Sequence, residues 1–197
     1  MTGSGFILAS ASPRRRDLLA QIGLTPSQTL AADIDETVRR GEVARDYVTR
    51  LAIEKASAIS EQHPKSLVLG ADTAVAVGRR ILPKTENEDE ARACLDLLSG
   101  RAHRVYSGVA VARAGVVSSR CVETRVKLRR LSNQDVDEYI ACGEWRGVAG
   151  GYAIQGLFAK HIVNLIGSYT NVVGLPLYQT ANLLNGSMSS ANEPDGG

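Results

Sequence analysis

Arg14-Arg15-Arg16 stands directly behind Ser12-Pro13, a pairing that reads as a helix start with a hydroxyl N-cap and proline at the first helical position. The N-terminal end of a helix carries partial positive charge, which opposes arginines there by about 0.3–1 kcal/mol each. Free backbone N–H groups point the same way. Such a start suits an anion, phosphate above all; the plainer alternative is a solvated basic turn. Lys55 is the second anomaly. Val48, Leu51, Ala52 and Ile59 mark the apolar stripe of a helix, and Lys55 lies on that stripe, four residues from Leu51 and from Ile59. A lysine there either snorkels or lines a cleft. The third is Asp72, read as lying just past the end of the buried strand Leu67-Val68-Leu69 and followed by Thr73. Open α/β sheets place their chemistry at strand ends, although turn aspartates are common there too. Asp35-Glu36 and Lys84 add charge in loops. Cations for phosphates, with carboxylates for a divalent metal or an attacking water, make a coherent phosphate-chemistry site. None of this selects a reaction.

The elements that must position these residues follow from periodicity and punctuation. Phe6-Ile7-Leu8-Ala9 reads as a buried strand, and the helix after Ser12 stops at Gly23. A longer helix covers Glu42 to Gln62. The strand from Leu67 ends at Gly70-Ala71-Asp72, Ala74 to Val77 continues extended, and Gly78-Arg79-Arg80 turns into Ile81-Leu82. Asn87 to Leu98 is a helix with Ala91, Cys94, Leu95 and Leu98 inward. Val105 to Val111 and Val116 to Leu131 form a hairpin through Ala114-Gly115. Ser132 to Asp135 opens a helix to Ala141 with a capping box. Val148 to Gly156 is rich in glycine, Ile162 to Ile166 is a strand, and a last helix runs from Gly174-Leu175-Pro176 to about Asn185. Alternating strands and helices around a long hairpin predict an α/β fold with a mixed sheet, as one elongated domain with a cleft over residues 1–185. Residues 186–197 read as a polar, disordered tail.

Composition excludes several classes. The chain has 197 residues, 44% hydrophobic and 22% charged, which suffices for a real core and argues against disorder. A net charge of +2 is too mild to imply nucleic-acid binding, and no aromatic platform or sustained basic stripe supports it. No apolar run approaches a membrane span, and Met1 to Ser12 lacks the pattern of a signal peptide. Three dispersed cysteines form no zinc motif and suit a reducing compartment. The expectation is a cytoplasmic protein. The G-x-x-x-x-G-K-[ST], G-x-G-x-x-G and G-x-S-x-G signatures are missing, and His63, His103 and His161 are isolated, with the last two read as structural.

Leu8-Ala9-Ser10-Ala11-Ser12-Pro13-Arg14-Arg15 resembles the opening signature of the Maf family of nucleotide pyrophosphatases. The likeness continues through Asp35-Glu36, Glu54-Lys55-Ala56, Gly70-Ala71-Asp72-Thr73, Ser99-Gly100 with His103, and Gly151-Tyr152-Ala153-Ile154-Gln155-Gly156. It closes with Gly167 to Pro176. These blocks stand in family order. The resemblance implies an elongated α/β fold similar to inosine triphosphate pyrophosphatases, with a cleft between two lobes. It implies hydrolysis of a nucleoside triphosphate between the α- and β-phosphates, with Mg²⁺ or Mn²⁺, in a cytoplasmic homodimer.

Carried over by position, Asp72 matches the family's proton acceptor. Ser10, Arg14, Arg15, Lys55 and Lys84 match polar and basic positions around the triphosphate, Lys55 and Lys84 being assigned to catalysis. Glu36, with Asp72, is the implied metal site. Arg14, Thr73 and Gln155 match the subgroup that prefers dTTP and UTP, where the 7-methyl-GTP subgroup has tryptophan, glutamine and glutamate. Two alternatives stay open: the same chemistry on 7-methyl-GTP or other modified nucleotides, and a non-catalytic nucleotide-binding regulator of cell division. The chain departs from the family pattern at Lys84-Thr85, where Lys-Pro is usual, at Trp145 for proline and at Val148 for lysine. The first departure puts the placement of Lys84 in question. Trp145 reads as a packing residue rather than a base-stacking one.

Overall fold

The computed structural model describes residues 5–189. Seven strands form one mixed sheet, as the alternating pattern with a central hairpin predicts. In chain order the elements are β1 (Phe6–Ala9), α1 (Pro13–Gln21), β2 (Gln28–Thr29), α2 (Ala44–Gln62), β3 (Leu67–Val77), β4 (Arg80–Ile81), α3 (Glu88–Leu98), β5 (Ala102–Arg113), β6 (Val116–Leu128), α4 (Asn133–Cys142), β7 (Ile162–Ile166), α5 (Tyr169–Val173) and α6 (Leu177–Ser189). The sheet order is β2-β1-β3-β5-β6-β7, with β4 paired to β3. β1 runs parallel to β2 and β3; β3, β5, β6 and β7 pair antiparallel. No helix among the described residues is long and apolar enough to cross a membrane.

Local chemistry accounts for the boundaries. The β5–β6 hairpin closes through Ala114 and Gly115, both at positive φ, as a tight two-residue turn requires. Ser132 and Asp135 form a reciprocal capping box at α4, and Gly143 ends it in the left-handed conformation. Asn87 caps α3 through the Glu90 N–H.

Three readings are corrected. β3 does not stop near Asp72 but runs unbroken for 11 residues, because β5 pairs with it from Val68 to Ala76. Ser12 holds the N-cap position of α1, but its side chain makes no capping bond; its own N–H is taken by Ser10 Oγ at 3.2 Å. α6 continues to Ser189 rather than ending near Asn185, since no proline stands between Gly186 and Ser189 to break it. The expected tail lies outside the described residues from position 190. β2 and α5 were not read at all. Two exposed residues form β2, and α5 is a five-residue turn capped by Ser168, both too short for a periodic signal.

Two apolar cores lie along the same strands. Leu69, Ala71, Val109 and Val111 pack with α1 and α6 through Leu18, Leu19, Leu183 and Leu184. Val75, Val105, Val126 and Leu128 pack with α3 and α4 through Leu95, Leu98, Val136 and Tyr139. Between the cores the central strands turn polar, where Thr73 faces Ser107 and Asp72 faces Gly108. This break divides the molecule into two lobes.

α2 lies across the opposite face of β3 and β5, unusually close. Ala52, Ala56, Ala110 and Ala112 form the seam, and two glycines make the approach possible. A Cβ on Gly108 would stand 2.1 Å from the Val48 carbonyl oxygen, and one on Gly70 would stand 2.4 Å from that of Ala52. Those are backbone atoms of a packed helix and cannot swing aside. Gly108→Ala is expected to destabilise the protein by about 1–3 kcal/mol, the usual cost of overpacking. Denaturant unfolding measures this, and an unchanged midpoint would mean that α2 is free to back away.

Candidate active site

Asp72 reaches the cleft through a gap in the sheet. β1 pairs with β3 only as far as Gly70, and β4 begins only at Ala76. Along that edge no strand among the described residues covers residues 71–74; Val75 O already accepts from Leu82 N–H at 2.8 Å. Alternate side chains point to opposite faces, so the gap exposes Asp72 toward α2 and Thr73 toward α1. Asp72 is therefore past the end of a strand after all, but the strand is its neighbour, β1. The cavity here holds about 520 Å³ and is lined by Ser10, Arg14, Arg15, Glu36, Lys55, Asp72, Thr73, Lys84 and Gln155. The nine residues given site roles from the sequence meet in one place, while Arg16 and Asp35 do not line it.

The stripe lysine does not snorkel. Lys55 Nζ is buried and stands 2.7 Å from both Asp72 Oδ1 and Glu36 Oε1. Glu36 Oε2 in turn meets Lys84 Nζ at 2.7 Å. The result is a chain of alternating charge, Asp72–Lys55–Glu36–Lys84. Partial burial raises the Glu36 carboxyl, but hydrogen bonds and charge from Lys55 and Lys84 outweigh it and bring it from 4.5 to about 2. Glu36 comes from a long loop that is tied to α2: Tyr47 Oη donates to the Glu36 carbonyl at 3.0 Å, and Arg50 bridges Glu42, Glu54 and the Thr37 carbonyl.

On the other face, the arginines of α1 divide their work. Arg15 is buried and braced: Nε donates to the Gly174 carbonyl at 2.9 Å, one terminal nitrogen to Ser10 Oγ at 2.8 Å and the other to Thr73 Oγ1 at 3.4 Å. Burial pulls its guanidinium below the ordinary value, against the opposing charge of Asp72. Thr73 Oγ1 also meets Ser107 Oγ at 2.8 Å and donates toward Gly174 O at 3.3 Å. Thr73 thus ties the strand to Arg15 and the α5–α6 junction, and its hydroxyl is committed to the protein. Arg14 lines the cleft with no hydrogen bond or ion pair from its side chain among the described residues. No side chain among the described residues caps α1, so its first-turn N–H groups remain for an anion.

The far wall carries Lys84, Arg146, Tyr152 and Gln155. The three departures from the family pattern touch one another here. Thr85 is fully buried; its N–H donates to Val148 O at 3.2 Å and its hydroxyl to Trp145 O at 2.7 Å. Proline could make neither bond. Lys84 still reaches Glu36, so the change at Thr85 leaves it in the cleft. Trp145 is fully buried with its indole N–H on Ile140 O at 2.9 Å, a packing residue as read. Gln155 is exposed at the rim, and its amide has no protein partner among the described residues. Sequence reasoning missed Arg146 and Tyr152 as lining residues; an arginine among 23 basic residues carries no signal of its own.

Asp72 Oδ2 is buried without a hydrogen-bond partner among the described residues. An orphaned carboxylate oxygen beside a second carboxylate fits a hard divalent cation. No group of three His, Cys, Asp or Glu side chains suits a metal among the described residues. Asp72 and Glu36 are the cleft carboxylates that could hold such an ion.

The family described as Maf-like protein matches residues 5–187. A protein of Caulobacter vibrioides named dTTP/UTP pyrophosphatase is 56% identical over 185 residues, covering 93% of this chain and 96% of that protein. A Maricaulis maris protein of the same name is 59% identical over 185 residues, covering 92% and 87%. One from Mesorhizobium japonicum, also so named, is 54% identical over 188 residues, covering 92% and 90%.

Behind the cleft wall, His103 Nε2 meets Tyr152 Oη at 2.6 Å, and both are buried. This is the structural role read for it. Burial lowers the His103 pKa from 6.5 to about 4, so the folded protein holds it neutral where the unfolded chain takes a proton. Its contribution to stability is full above pH 6.5 and is lost as pH falls toward 4, by up to about 3 kcal/mol over that window. His161 is lowered in the same direction. Unfolding free energy measured from pH 7 to 4.5 is expected to fall in the native protein and to fall less in His103→Gln. Identical slopes would remove His103 as the cause.

Proposed function

The chain belongs to the Maf-like family, and from that premise we propose that it is a nucleoside triphosphate pyrophosphatase. It hydrolyses dTTP and UTP between the α- and β-phosphates, releasing the nucleoside monophosphate and pyrophosphate. The relatives that share more than half of its sequence carry that name. One observation in the cleft carries the chemistry: Asp72 has one oxygen pinned by Lys55 at 2.7 Å and the other buried without a partner, beside a row of cations.

In this reading Oδ2 of Asp72 accepts the proton of the water that attacks phosphorus. Lys55 fixes the carboxylate so that this oxygen, and not its twin, faces the water. Negative charge builds on the phosphate oxygens as the α–β bridge breaks, and Lys84, Lys55 and the α1 N–H groups answer it. Arg14 has no side-chain partner among the described residues to give up when it binds phosphate, and Arg15 holds the helix start in place while presenting its charge. Ser10 Oγ accepts two protein hydrogen bonds and keeps its own O–H to donate. Glu36 and Asp72 would hold the divalent cation, which when bound supplies charge to the phosphate oxygens. A carboxylate oxygen has two lone pairs, so contact with a cation leaves one for the water.

Gln155 offers both a donor and an acceptor to a pyrimidine edge. Glutamate there would offer acceptors alone. Thr73 supports specificity at one remove, through Arg15. The cytoplasm as compartment rests on three unpaired thiols, and the homodimer on the family resemblance.

Purified protein with Mg²⁺ or Mn²⁺ is expected to release pyrophosphate from dTTP and UTP in preference to CTP, purine triphosphates and 7-methyl-GTP. Asp72→Asn should lower turnover by about 10²–10⁴-fold with folding retained; full activity would end its assignment as base. Gln155→Glu should erode the pyrimidine preference, and an unaltered substrate profile would dismiss it as a specificity residue.

A further inference from the structure

We propose that Arg146 is a substrate-binding residue, a preset cation for the two phosphates that leave as pyrophosphate. The inference rests on the pyrophosphatase reading. Arg146 lines the cleft and is exposed at its rim. Its guanidinium carbon stands 4.3 Å from the centroid of the Trp145 ring. No hydrogen bond or ion pair engages its side chain among the described residues. Every other arginine or lysine of the cleft except Arg14 is already committed: Arg15 to Ser10 and Gly174, Lys55 to Asp72 and Glu36, Lys84 to Glu36.

The backbone around it is fixed. Trp145 is buried and bonded through its indole N–H, and Thr85 grips the segment on both sides of Arg146. Thr85 Oγ1 donates to Trp145 O at 2.7 Å, and Gly147 N–H donates to Thr85 O at 2.8 Å. A guanidinium laid against an aromatic face is held by cation–π attraction through its flat side. Its edge then keeps five N–H donors outward in a rigid fork that matches phosphate. Little side-chain entropy remains to be lost on binding. Arg146 is thus prepared for an anion that the protein itself does not supply.

Position selects which phosphates. The buried pair Lys55–Asp72 marks the reacting centre. Arg146 belongs to the exposed rim, on the segment bridged to Lys84 through Ala149. The charge of a triphosphate is greatest at its free end. The nucleoside has the neutral amide of Gln155 for recognition. A rim cation in a rigid fork therefore serves the β- and γ-phosphates.

The test is calorimetric titration with pyrophosphate in the presence of Mg²⁺, and separately with dTMP. Arg146→Ala is expected to weaken pyrophosphate binding about tenfold, the loss of one charge-assisted contact, and to leave dTMP affinity unchanged. Arg146→Lys keeps the charge without the fork and should fall between. Arg120→Ala, an exposed arginine outside the cleft, controls for net charge. Unchanged pyrophosphate affinity in Arg146→Ala would overturn the proposal, as would an equal loss in Arg120→Ala or a loss confined to dTMP. Arg146-dependent pyrophosphate binding in a protein that cleaves no triphosphate would instead refute the pyrophosphatase reading and leave the anion site standing.

Discussion

The buried pair of Lys55 and Asp72 constrains everything around it. Removing two charges from water costs several kcal/mol per ion unless geometry and further partners offset it. Here Lys55 satisfies two carboxylates at once, and Glu36 passes the compensation on to Lys84. For this the ammonium must lie at the level of β3, so α2 must lie almost on the sheet. The alanine seam and the bare positions Gly70 and Gly108 are the packing that allows it. The loop that brings Glu36 must in turn be held, and Tyr47 and Arg50 do so from α2 itself. One helix therefore supplies the lysine, its depth and the strap for its second partner.

The gap between β1 and β4 solves a different problem. A strand sends successive side chains to opposite faces, so a site on one face ordinarily uses every second residue. Where the edge of β3 is uncovered, both faces open on the same space. Asp72 contributes from one, and Thr73 with Arg15 from the other. The polar stretch that marks this place in β3 and β5 also separates the two cores. Its cost to packing is met by bonds among Thr73, Ser107 and Arg15, and by the α5 segment. There Asn171 donates to Val105 O and Thr124 Oγ1, and Ser107 donates to Asn171 O.

Much of the site was legible because its residues offend local rules. Arginines at a positive helix end, a lysine on an apolar stripe and a carboxylate in a buried run each cost energy where they stand. That cost is visible one residue at a time. Arg146 offends nothing: it is an arginine in a turn, and only the tryptophan face beneath it and the cleft beside it make it unusual. Thr85 was visible only as a departure, since its two bonds depend on a segment sixty residues away. The sheet gap was illegible for the same reason. Asp72 looked like a strand end because apolar character falls away there, whereas the pairing with β5 that keeps β3 extended is set at long range.

The two cores share their strands. Residues of β3 and β5 belong to one core near Leu69 and Val111 and to the other near Val75 and Val105, with continuous pairing in between. Among the described residues the lobes are joined by continuous strands. Widening the cleft to admit a nucleotide must flex these strands along their length, and the sheet then acts as a leaf spring whose restoring force draws the walls together. Along that length β3 has one stretch without an outer neighbour, which is also where Asp72 and Thr73 stand. The strands that join the lobes are therefore the same strands that carry Asp72 and Thr73.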